Sequence, residues 1–117
     1  ELQGYVYDAK VRLADVYDVV GRPEDAERLR AAANTLYQRF NETFWWEAEG
    51  TYYLGLDGQK RPIESVASNA GHCLASGIVP PDRAARTRIR DRALRKAVKS
   101  QLLVEVGGDR IELGAIA

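Results

Sequence analysis

Two apolar stripes at helical spacing, separated only by Gly21-Arg22-Pro23-Glu24-Asp25, constrain this chain more than any other feature. The first stripe sets Leu2, Val6, Ala9, Leu13, Val16, Tyr17 and Val20 on one face of an α-helix. Gly21 suits the stop, because a residue in the left-handed conformation closes a last helical turn. Pro23 tolerates the missing N–H of a first turn, and Glu24 and Asp25 complement the helix dipole there. The second stripe is Ala26, Leu29, Ala33, Leu36, Tyr37, Phe40 and Phe44. Two long helices joined this closely must lie antiparallel and side by side, so the chain opens on a helical hairpin.

Helical order fades after Phe44. Thr51 to Leu54 favours extended structure, Asp57-Gly58 is a turn dipeptide, and Arg61-Pro62-Ile63 returns as a short strand. Ser68 or Asn69 caps a short helix through Ser76, which Gly77 ends. A rigid joint, Val79-Pro80-Pro81-Asp82, leads into another helix starting near Pro81 or Asp82. That helix carries basic residues on every side and only a thin apolar face of Ala84, Ala85, Ile89, Ala93, Ala97 and Val98. Leu102 to Val106, Gly107-Gly108 and Arg110 to Leu113 read as a small β-hairpin. The expected fold is mainly α, with a β-hairpin-like insertion after the helical hairpin.

With 117 residues the chain is long enough for one modest domain. Its formal net charge of zero is a sum of unlike parts. Through Asp82 there are 8 basic and 13 acidic side chains; beyond it there are 9 basic and 4 acidic. All ten aromatics lie at or before Tyr53. A basic segment without aromatics and charged all round has no stacking platform, so specific nucleic-acid binding is not expected. A lone cysteine, Cys73, forms no internal disulfide, and one histidine, His72, assembles no zinc site. No metal or cofactor is implied, and the natural compartment for such cysteine usage is the cytoplasm. No apolar run reaches the length of a membrane span. The chain starts at Glu1 inside a helical pattern, which reads as a piece of something longer or a trimmed chain.

Most charged residues have structural explanations. Glu24, Asp25 and Glu27 form a solvated helix start, and Asp15 and Asp18 belong on a helix surface. His72 and Cys73 are adjacent on a helix and point in different directions, which argues against a nucleophile–base pair. Two stretches are richer. Gln3-Gly4-Tyr5-Val6-Tyr7 sets an amide and two phenols at a helix start, where sugar hydroxyls and ring faces find partners. Packing is an equal reading for Tyr5 and Tyr7. Asp57 to Pro62, followed by Ser68 to His72, presents a charged turn leading into a short helix.

These residues carry a resemblance. Glu1 to Lys10, ELQGYVYDAK, is similar to the "EVQGYVYDA" helix start of bacterial glycogen-debranching, amylo-α-1,6-glucosidase-type proteins. Arg39-Phe40-Asn41-Glu42-Thr43-Phe44-Trp45 resembles their "RFNEAFW" helix end. Tyr52 to Asp57, Lys60-Arg61-Pro62, Ser68 to Leu74 and Ser76 to Val79 continue the likeness in order, as far as about residue 86. It implies a slice of an (α/α)₆ toroid around a sugar-binding mouth, acting on α-glucosidic bonds with an α-glucan or oligosaccharide as partner. Gln3, Tyr5 and Tyr7 correspond to wall residues of that site, and Lys60, Arg61, Asn69 and His72 to its loop lining. Relatives invert with two carboxylates, one acid and one base. By the family's order both fall outside this chain, so no catalytic residue is expected here.

Beyond residue 86 the likeness stops. Relatives continue into a segment like "FSGWGIRTLS", whereas residues 87–117 are arginine-dense and lack aromatics. An out-of-frame reading of the coding sequence accounts for such a tail. Division at residue 86 into a toroid segment and a basic tail follows. A fragment of this kind exposes apolar helix faces and is expected to self-associate, without glycosidase activity of its own. The competing reading is a helical-repeat interaction module, since Ala14 to Ala26 echoes the turn of tetratricopeptide-like hairpins. No second copy at that period follows.

Overall fold

A computed structural model describes residues 1–101. Helices α1 (Leu2–Val19), α2 (Pro23–Thr43), α3 (Asn69–His72) and α4 (Pro81–Gln101) make the fold mainly α. Strands β1 (Trp45–Trp46) and β2 (Thr51–Tyr52) form one two-stranded antiparallel ribbon; β3 (Gly55–Leu56) and β4 (Pro62–Ile63) form another. A 3-10 turn, Cys73–Ser76, follows α3. The hairpin expected over residues 102–113 lies outside the described residues.

The α1–α2 junction forms as its residues dictate. Gly21 adopts φ 75°; its N–H donates to Asp18 O, and the N–H of Arg22 donates to Tyr17 O at 2.8 Å. This pair of bonds is the Schellman stop. Arg22 also lies over the Tyr17 ring, 4.8 Å from its centroid. Pro23 opens α2, with Glu24 and Asp25 in its first turn. Arg30 reaches back across the hairpin to Asp15 and Asp18 at 3.0 and 2.5 Å.

The two stripes fare differently. On α2 the expected face is the packed one: Ala26, Ala33 and Phe40 are buried, and Leu36, Tyr37 and Phe44 pack against the core. On α1 the expected stripe faces outward. Leu2, Val6, Leu13, Val16 and Val20 are exposed, Leu13 by 44% and Val16 by 53%. The packed residues of α1 are instead Gly4 and Ala14, with Tyr7 set partway into the core. Small residues win because they allow close approach: a Cβ on Gly4 would lie 3.0 Å from Ser76 Oγ and 3.4 Å from Cys73 Cα.

The core gathers Phe40, Tyr52, Cys73, Ile78, Val79 and Ala84. Phe40 stacks on Tyr52 at 4.7 Å and on Phe44 at 5.4 Å, and Trp45 meets Tyr52 edge-on at 5.0 Å. One buried polar group ties these pieces together. Asn41 donates to Tyr37 O at 2.9 Å and to Ile78 O at 2.8 Å, while its Oδ1 accepts from Tyr52 OH at 2.6 Å. Its backbone carbonyl accepts from Arg83 at 2.7 Å. One residue thereby links α2, β2, the segment after the 3-10 turn, and α4.

The turn between β3 and β4 differs from the expected dipeptide turn. Lys60, not Gly58, takes the left-handed conformation, at φ 65°. The Asp57 carboxylate organises this turn by accepting from the N–H groups of Gln59 and Arg61, each at 2.9 Å. The bond to the Arg61 N–H, first among several contacts, holds the Asp57 carboxyl below its ordinary value. Ser68 sits at the cap position of α3 but makes no side-chain cap bond, and Asn69 turns to Glu1 instead. Gly77 ends the 3-10 turn at φ 78°, as expected.

Helix α4 runs unbroken through residues 86 and 87, where the composition changes. Its contact face follows the expected apolar one only at Ala84, which is buried in the core: Thr87 is 1% exposed, whereas Ile89 is 72% exposed. Arginines fasten it instead. Arg83 and Arg86 lie over the Trp45 ring at 4.6 and 5.2 Å, Arg86 pairs with Glu47 at 2.6 Å, and Arg90 pairs with Glu49. Thr87 Oγ1, Arg90 Nε and Asp91 Oδ1 are buried without partners among the described residues, which offsets part of that attachment. No helix among the described residues is long and apolar enough to cross a membrane.

The Asn41 junction sets a testable stability cost. Asn41→Ala leaves the Tyr52 hydroxyl and the Ile78 carbonyl without their buried partner, at about 1–3 kcal/mol for each buried group stranded. Urea denaturation followed by circular dichroism is expected to show a loss of about 3 kcal/mol or outright unfolding. An unchanged midpoint contradicts the junction's role.

Candidate functional site

Three of the sequence-derived candidates meet in one groove. Gln3 comes from the start of α1, Asn69 from the start of α3, and Lys60 from the β3–β4 turn. They line a hollow of about 300 Å³ with Phe40, Phe44, Tyr52, Tyr53 and Leu56. Polar groups over an aromatic floor are the usual composition of a small-ligand site. Close packing of Gly4 on the Cys73–Ser76 turn brings the start of α1 against the end of α3. The Phe40–Tyr52 stack carries the floor across from α2 to β2.

Asn69 Nδ2 donates to Glu1 Oε2 at 3.1 Å, which holds the only carboxylate on the hollow's lining among the described residues. Beside it, Tyr5 OH lies 3.4 Å from His72 Nδ1, with both residues exposed. Tyr5 and His72 therefore meet next to the groove without lining it. Tyr7 is placed elsewhere: its ring packs on Tyr37 at 6.0 Å and against the core, so packing is its observed role. Arg61 also lies off the groove, its Nε donating to Asp57 Oδ2 at 2.7 Å.

Lys60 pays a conformational penalty at its position. A non-glycine residue in the left-handed region costs about 1–2 kcal/mol. Short hairpin loops of this shape ordinarily place glycine there. Lys60 lines both the 300 Å³ hollow and a second, adjoining one of about 460 Å³. Arg39 lines the second hollow, with Gln3, Thr35, Thr43 and Leu56. The sequence reading did not single out Arg39; its signal was position, two residues before Asn41 on the outer side of α2.

Cys73 and His72 form no reactive pair. Cys73 is 1% exposed and its Sγ points at Asn69 O, 4.0 Å away. Burial pushes the thiol above its ordinary value, which keeps it protonated and a poor nucleophile. No group of three or more potential metal ligands occurs among the described residues. Among the described residues, a depression along α4 is lined only by that helix, by residues such as Arg88, Asp91 and Arg92.

Tyr52, on the groove floor, has its phenol pushed up, chiefly by burial and against the opposing charge of Arg83. The fold favours the neutral form. Its contribution to stability is complete below the ordinary tyrosine value of about 10 and is lost as pH rises beyond it. Absorbance titration at alkaline pH is expected to show one phenol ionising after the others, together with loss of helical circular dichroism. Tyr52→Phe removes that late step; its persistence contradicts the assignment.

No family model, curated protein or solved structure matches the chain.

Proposed function

We propose that this chain forms part of the sugar-binding wall of a carbohydrate-active enzyme acting on α-glucosidic bonds, of the glycogen-debranching, amylo-α-1,6-glucosidase-like kind. The observation that carries the reading is the groove in which Gln3, Lys60 and Asn69 stand over Phe40, Phe44, Tyr52 and Tyr53. Amide and ammonium groups pair with hydroxyls, and the aromatic faces take the C–H face of a pyranose ring. These residues belong to the motifs that carry the family resemblance.

The chain supplies binding, not cleavage. Inverting hydrolysis needs an acid and a base about 6.5–9.5 Å apart across the bond. Among the described residues the groove lining offers Glu1 alone, already engaged by Asn69. The exposed stripe of Leu2, Val6, Leu13, Val16 and Val20 on α1 supports self-association, since contiguous apolar patches of this kind mark contact surfaces.

Calorimetric titration with maltose and panose, alongside a glucose-release assay and sedimentation of the same sample, tests this reading. Binding without turnover, weakened by Tyr53→Ala, is the expected result, in a sample that sediments as more than a monomer. Absence of sugar binding removes the wall reading, and clean turnover removes the claim that the chain only binds.

A further inference from the structure

The groove has a positive end where Arg39, which recognition of a neutral sugar does not use, stands with Lys60. The 300 Å³ and 460 Å³ hollows share Gln3, Phe40, Phe44, Leu56 and Lys60, so they form one continuous depression. Its inner part carries the aromatic floor and the amides of Gln3 and Asn69. Among the described residues, its outer part carries the cations Arg39 and Lys60 and no carboxylate. Neither cation forms an ion pair among the described residues, although most arginines here do: Arg12, Arg22, Arg28, Arg30, Arg61, Arg86, Arg90 and Arg95 are all paired. Thr35 and Thr43 add hydroxyls to the same wall, and Leu36 and Leu56 keep it partly apolar.

The backbone at Lys60 points the same way. Glycine fits φ 65° without strain, yet the position holds a long cationic side chain at the junction of the two hollows. Strain kept at a residue lining a cavity is a signal of function when geometry accompanies it. A guanidinium and an ammonium facing one depression match an anion: Arg offers a planar fork and Lys a point charge.

We propose that the groove takes a sugar bearing an anionic substituent, a phosphate or a carboxylate, with the ring on the aromatic floor and the anion between Arg39 and Lys60. This rests on the reading of the inner hollow as a sugar wall. The anionic group gives the site a preference that a neutral glucan lacks, and that preference weakens with salt because both cations are exposed.

The test measures the affinity of the whole chain for glucose, glucose 6-phosphate, glucuronate and inorganic phosphate, at low and high salt, in the wild type, Arg39→Ala and Lys60→Gly. Both variants are expected to fold: Ala favours an exposed helix position, and Gly relieves the left-handed residue. Circular dichroism checks this. The expected result is that glucose 6-phosphate or glucuronate binds roughly tenfold more tightly than glucose at low salt. The tighter of the two identifies the substituent. Arg39→Ala is expected to abolish most of that preference while glucose affinity stays unchanged, and Lys60→Gly to reduce it.

Equal affinity for glucose and both anionic sugars overturns this inference and leaves the wall reading standing. A preference that survives in both variants overturns it as well. Binding of inorganic phosphate dependent on Arg39, with no binding of any sugar, overturns the sugar wall and leaves only an anion site. Absence of all binding overturns both.

Discussion

A single buried amide holds the molecule's parts in register. Asn41 satisfies carbonyls from its own helix and from Ile78, accepts the Tyr52 hydroxyl, and offers its backbone oxygen to Arg83. Buried polar groups are costly unless paired, so each partner is bound to the position that satisfies it. Four segments of the chain therefore have one arrangement in which every group is served. The aromatic floor depends on this arrangement, because Tyr52 is both a partner of Asn41 and the ring stacked on Phe40.

What could be read from the sequence follows from where bulk and burial coincide. On α2 they do, and Ala26, Leu29, Ala33, Leu36, Tyr37 and Phe40 mark the packed side by spacing alone. On α1 they separate. Close approach is made by Gly4 and Ala14, while Leu13 and Val16 stand outside. Periodicity weighs side-chain size, whereas helix apposition selects its absence. The Gly21 stop and the Pro23 start were legible because they depend on backbone chemistry two or three residues wide. The left-handed residue of the β3–β4 turn was not, because Asp57 organises the whole loop through two backbone N–H groups and places the demand on Lys60.

The groove was half legible. Gln3, Lys60 and Asn69 come together, Tyr5 and His72 pair beside them, Tyr7 enters the core and Arg61 is taken by Asp57. Tyr7 illustrates the difficulty: a phenol at a helix start serves packing or recognition, and only the neighbouring Tyr37 decides. The arginines of α4 were equally ambiguous. Read as charge spread around a helix they suggest a solvated rod. Three of them instead clasp the β1–β2 turn, through the Trp45 ring and the carboxylates of Glu47 and Glu49. Glu47 is held below its ordinary value chiefly by the indole N–H of Trp45, then by Arg86, so the clasp stays charged through neutral pH.

The central claim is that the depression between α1, α2, α3 and the β3–β4 turn is where a sugar lies. Amide chemical-shift mapping of the isotope-labelled chain during a maltose titration tests it most directly. Shifts are expected at Gln3, Tyr53, Lys60 and Asn69, with Leu13 and Val16 on the outer face of α1 unmoved. Shifts confined to that outer face or to α4, or none anywhere at high sugar concentration, contradict it.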